Sequence, residues 1–137
     1  MTDNIFNRIE IEIKRTYYTF DRYKADATFA LIYHKEPLSI EELGSFVRIS
    51  DKFVKIDDNH YFINFAFTTQ EGTFKACQNL LMGMDNFFGS NTTCIAIDNF
   101  DTSKKPAMVY NRLMQILKEI QRSSYSRIED ENILNMI

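Results

Sequence analysis

The chain has no tryptophan, two prolines, two cysteines and four glycines in 137 residues. Each shortage excludes something. Gly44, Gly72, Gly83 and Gly89 are too scattered to form GxGxxG or GxxxxGK, so no glycine-rich loop is present to cradle a phosphate through its backbone amides. Cys77 and Cys94 fit neither a zinc nor a CxxC redox spacing, and read as reduced, buried thiols. No apolar run approaches the ~20 residues that a membrane-spanning helix needs. The start, Met1-Thr-Asp-Asn4, lacks the positive and then apolar pattern of a signal peptide, so the expected location is the cytoplasm, away from any membrane. Positive charge is not in excess either: a net charge of -3 and a pI near 5.4 argue against a nucleic-acid partner. No Ser/His/Asp or Cys/His constellation stands out, and no cofactor is expected.

What the chain does have is apolar and aromatic bulk. It is 45% hydrophobic, with twelve Phe and seven Tyr, enough for the core of one domain. Residues 3–24 read as an amphipathic helix, because Phe6, Ile9, Ile13, Tyr17 and Phe20 recur at spacings of three and four. Ile5, Ile11 and Tyr18 fall off that stripe and suggest a second packing face, a surface for a protein partner or a second copy. Thr28 to Tyr33 is a continuous apolar run, as expected of a central strand covered on both sides. Ser39 with Glu42 forms a capping box opening a short helix, whose buried side is expected to be Ile40, Leu43, Phe46 and Val47.

Lys52–Ile56 and His60–Thr68 read as strands, the second with Tyr61, Ile63, Phe65 and Phe67 alternating onto one face. Residues 70–88 form a long helix stopped by Gly89. A strand over 92–98 follows, and then a helix opened by Pro106 with Val109, Leu113, Ile116 and Ile120 inward. Lys104 and Lys105 beside Asp98 and Asp101 read as a solvated loop. The division expected is 1–26 as a leading helix, 27–123 as the α+β domain and 124–137 as a tail, either frayed or docked. The inner order βαββαβ predicts a ferredoxin-like antiparallel sheet, with an added N-terminal helix and a C-terminal helix.

The segment Arg48-Ile-Ser-Asp51-Lys-Phe-Val-Lys55-Ile-Asp57-Asp58-Asn59-His60-Tyr61 reads as strand, tight polar turn, strand. With Glu10–Arg15 leading to Phe29–Ile32, and Thr92–Ile97 following in the same order, it resembles the diguanylate cyclase (GGDEF) domains of bacterial signalling proteins over about residues 8–122. The resemblance implies that Asp57 to Tyr61 stand where the family has Gly-Gly-Asp/Glu-Glu-Phe, a degenerate signature. Side chains at 57 and 58 would block the close approach of a guanine nucleotide that two glycines permit. Asn59 and His60 replace the acidic pair, and Tyr33-His34-Lys35 stands where a metal-binding Asp is expected. The interval from His34 to Arg48 has room for one helix where the family has two and a nucleotide-contacting loop. Phosphoryl transfer depends on positioning and metal stabilisation, so the expectation is a protein that is not an enzyme.

Arg48-x-x-Asp51 is the remaining ligand candidate. In the family that pattern binds the product, cyclic di-GMP, and a guanidinium fork with a carboxylate suits phosphate and guanine edges. The plain alternative is a helix-terminal Arg and a turn-capping Asp. His34, Asp57, Asp58 and His60 are of metal-ligand type and would converge if strand one ends beside the hairpin; the alternative is a set of solvated turn residues. Three readings stand open: a nucleotide-binding regulatory domain that has lost catalysis, an interaction or oligomerisation module with no nucleotide, and an enzyme of another class built on the histidine cluster.

Overall fold

The computed structural model describes residues 3–23, 27–47, 52–66, 68–89, 91–99, 104–123 and 126–136. Among them the chain runs α1 (Asp3–Tyr23), β1 (Ala27–Tyr33), α2 (Ile40–Gly44), β2 (Lys52–Lys55), β3 (His60–Ala66), α3 (Gln70–Phe88), β4 (Cys94–Asn99), α4 (Pro106–Ser123), β5 (Ile128–Glu129) and a 3-10 helix, Glu131–Met136. The sheet order is β2-β3-β1-β4-β5. The first four strands pair antiparallel, with the connectivity of a ferredoxin-like βαββαβ unit, and β5 adds a parallel strand beside β4. The described residues include no helix long and apolar enough to cross a membrane.

β1 lies at the centre because it is apolar on both faces. Phe29 and Leu31 point toward α1 and α4, whereas Ala30 and Ile32 point toward α2 and α3. β3 repeats the division: Phe62 stacks on Phe29 with centroids 5.8 Å apart, while Tyr61, Ile63 and Phe65 face α3. On α1, Ile9 and Ile13 are buried as the spacing predicts, and Ile11 and Tyr18 are exposed. α4 buries Val109, Leu113, Ile116 and Ile120. Burying a side chain of this kind contributes about 1.5–3 kcal/mol, so the two apolar layers, rather than helix propensity, hold the fold.

Local signals set the ends. Ser39 accepts the Glu42 N–H at 3.1 Å and the Glu42 carboxylate accepts the Ser39 N–H at 3.0 Å, the reciprocal pair of a capping box. Thr69 caps α3, and Gly89 ends it at φ 64°, where a Cβ would be strained. A Cβ on Gly83 would come within 3.1 Å of the Phe46 ring, so that glycine lets the segment after α2 lie against α3.

Two expectations need correction, and one open alternative is decided. Ile40 is 57% exposed, because a helix of only five residues turns Leu43 inward and leaves its first residue in solvent. Asp98 is no loop residue: it is 1% exposed and bonds Lys104 Nζ at 2.8 Å, because the alternation of β4 turns it inward beneath α4. Asp101 lies outside the described residues. The tail is docked rather than frayed: Arg127 forks onto Asp85 at 2.6 and 3.0 Å, β5 extends the sheet, and Ile133 is buried against α4.

Candidate functional site

The β2–β3 turn meets the end of β1 at one edge of the sheet. Antiparallel pairing carries Tyr33 opposite His60, so residues 57–60 lie beside residues 34–38. The Asn59 carbonyl accepts the His34 N–H at 2.9 Å. The Asn59 side-chain amide donates to the carbonyls of His34 and Lys35 at 3.0 and 2.8 Å. Tyr61, fully buried, accepts the Leu38 N–H on its hydroxyl at 2.8 Å and donates to the Asp58 carbonyl at 2.8 Å, with the Leu38 carbonyl an alternative acceptor at 3.1 Å. The turn is thus tied to the loop after β1 by its own polar groups.

Asp57 closes the turn on itself. Its carboxylate accepts the Asn59 N–H at 2.8 Å and lies 2.9 and 3.1 Å from His60 Nδ1, which donates to it in the Nδ1–H tautomer. Partial burial opposes the Asp57 charge, but the bonds from Asn59 and His60 outweigh it and hold the carboxyl below its usual range. Asp58 points to solvent, 3.5 Å from Lys55 Nζ. Burial pushes the Tyr61 phenol up, as suits a hydroxyl used as a neutral hydrogen-bond bridge.

The proposed histidine cluster does not assemble. Neighbouring residues of a strand face opposite sides of the sheet, and the loop after β1 continues that alternation. His60 lies against Tyr33, centroids 5.4 Å apart, on the α1/α4 side. His34 turns to the other side, where it is buried against Phe88 of α3 at 4.4 Å and bonds Thr93 Oγ1 through Nδ1 at 2.7 Å. Burial lowers the His34 pKa, although Glu36 and Asp85 oppose the shift. Among the described residues no three His, Cys, Asp or Glu side chains are grouped to hold a metal ion. Asp57 is engaged within the turn, and His34 lies on the opposite face.

Arg48 and Asp51 lie outside the described residues. The segment before them ends in Phe46 and Val47, both half-buried, with Phe46 edge-on to the exposed Phe87 at 6.0 Å. Leu38 and Thr93, which position the site's side chains, escape sequence reasoning, because only the register of β1 against β3 and β4 brings them to Tyr61 and His34.

No family model and no curated protein matches the sequence. Among solved structures, the fold is similar to the crystal structure of the GGDEF domain of DgcB from Caulobacter crescentus in complex with c-di-GMP, at a TM-score of 0.70 and 8% identity, covering 90% of this chain and 88% of that one. The chain therefore has a GGDEF-like fold, that of a diguanylate cyclase-type domain.

Proposed function

We propose that this chain is a catalytically silent diguanylate cyclase-like domain that acts as a regulatory module, receiving cyclic di-GMP rather than making it. The observation that carries the reading is the turn. The polar groups of Asp57, Asn59 and Tyr61 are used in holding residues 57–61 to each other and to the loop after β1. A nucleotide site at this turn would need backbone left open and carboxylates free for a metal ion. Arg48 and Asp51 supply the residue types for dinucleotide recognition: a planar fork for phosphate or a guanine edge, and an acceptor for guanine N–H groups.

Calorimetric titration tests the ligand, with cyclic di-GMP in one cell and GTP with magnesium in a parallel one. The expected result is binding of the dinucleotide that Arg48→Ala abolishes. Silence with both would remove the ligand from the proposal and leave an interaction module. The exposed Ile11 and Tyr18, seven residues apart on the outer side of α1, favour that second reading. It predicts a self-associating or partner-bound chain, weakened by Tyr18→Glu, as sedimentation would show.

A further inference from the structure

The chain has two histidines, in opposite settings. His60 is partly exposed with a carboxylate at Nδ1. His34 is 0% exposed, and its Nε2 has no partner among the described residues. A neutral ring leaves one nitrogen unsatisfied there. A protonated ring would bring a full charge and a second donor into an apolar site. The charged groups that act on it are Glu36 in the loop after β1 and Asp85 on α3, and Asp85 is paired with Arg127, which precedes β5. Glu36 and Asp85 favour the charged ring, but the Arg127 guanidinium, 2.6 and 3.0 Å from Asp85, offsets the latter. Burial outweighs both acids and holds His34 below the ordinary histidine range.

His34 also sits at a junction. Its backbone N–H and carbonyl are both bonded to Asn59, so the histidine anchors the turn at 57–60. Its ring packs on Phe88, Phe88 meets Phe87 edge-on at 4.9 Å, and Phe87 meets Phe46 at 6.0 Å. Rings in contact thus run from a fully buried imidazole to Phe87, which is 60% exposed. The ring touches Phe88 and Thr93, and the backbone of the same residue holds Asn59, so a His34 that leaves its pocket takes support from the Phe46–Phe87 surface and from the turn together.

We propose that His34 is a proton-operated latch, which in its neutral form pins the 57–60 turn and the Phe46–Phe87 surface to the core and on protonation swings out and releases both. The proton comes from solvent and no covalent bond changes. This goes beyond the regulatory reading above and does not depend on any nucleotide.

The test is amide hydrogen exchange on the full chain between about pH 7.5 and about pH 4.5, a window that reaches below the ordinary histidine value, corrected for intrinsic rates. The expected result is a loss of protection at Asn59–His60 and at Ser45–Val47 of up to about tenfold per pH unit as the pH falls below the ordinary histidine value, flattening once the lowered value of the buried ring is passed, with the centres of β1 and β3 still protected. His34→Gln is expected to abolish the response and His60→Gln to preserve it. The imidazole resonances of wild-type His34 give a readout that needs no variant, and should titrate below the ordinary histidine range, where the exchange response flattens. A response that survives His34→Gln or vanishes in His60→Gln overturns the proposal. So does protection that stays flat across the window, or amides that all open together.

Discussion

Replacing Tyr61 by Phe removes one oxygen atom from a fully buried ring and leaves its shape unchanged. That oxygen accepts the buried Leu38 N–H at 2.8 Å and donates to the Asp58 carbonyl at 2.8 Å. Asp58 is an exposed residue, so water can satisfy its carbonyl when the hydroxyl is gone. Leu38 is 0% exposed, and its N–H has no such replacement. One buried donor left unsatisfied costs about 1–3 kcal/mol, and about 2 kcal/mol is expected here. In a domain of this size that corresponds to a fall in Tm of roughly 6–10 °C and a urea midpoint lower by about 1 M with an unchanged slope. Equilibrium urea unfolding followed by far-UV circular dichroism reads it directly. If Tyr61→Phe shifts the midpoint by an amount worth less than about 0.5 kcal/mol, then the hydroxyl is not part of what holds the turn, and the structural role given to this position is wrong.

Three further perturbations probe the rest of the framework. Lys104→Met strands the buried Asp98 carboxylate and should cost about 3–5 kcal/mol near neutral pH. Burial already raises the Asp98 pKa, so the native state holds this proton more tightly than the unfolded chain. The penalty should therefore shrink as the pH falls through that raised value, and paired denaturation curves at two pH values would show it. Phe29→Ala, at the centre of the α1/α4 layer, should cost about 3–5 kcal/mol through lost burial and a cavity; a loss under about 1 kcal/mol would mean the layer repacks freely. Gly89→Ala forces a Cβ into a left-handed cap at φ 64° and should cost about 1 kcal/mol by thermal melting, although nothing lies within 4 Å to clash with it.

The sheet and its two layers are legible in the sequence because period and length agree. An apolar run at 28–33 can be covered on both faces only in a central strand, and alternation in 60–66 fixes which side chains share a layer. Caps at Ser39 and Gly89 are local, and local chemistry announces them. β5 escapes, because two residues carry no period and their strand exists only through pairing with β4. Asp98 misleads for a related reason: at the end of the 92–98 strand it reads as solvated with the loop lysines, and only its register opposite Phe29 turns it inward. At the site, the polar turn at 57–60 is visible residue by residue. The opposite facing of His34 and His60 depends on tracking strand alternation past Tyr33 into the loop, and composition gives no hint of it. Arg48 and Asp51 rest on spacing alone.

The central claim is that the turn at residues 57–61 serves the fold and not nucleotide chemistry. Incubating the purified protein with GTP and magnesium, and separating the products by ion-exchange chromatography, tests it most directly. The account predicts that GTP is recovered unchanged, with no cyclic dinucleotide formed over hours at high protein concentration. Turnover to cyclic di-GMP that scales with protein concentration, and is lost when Asp57 is replaced by Asn, would contradict it.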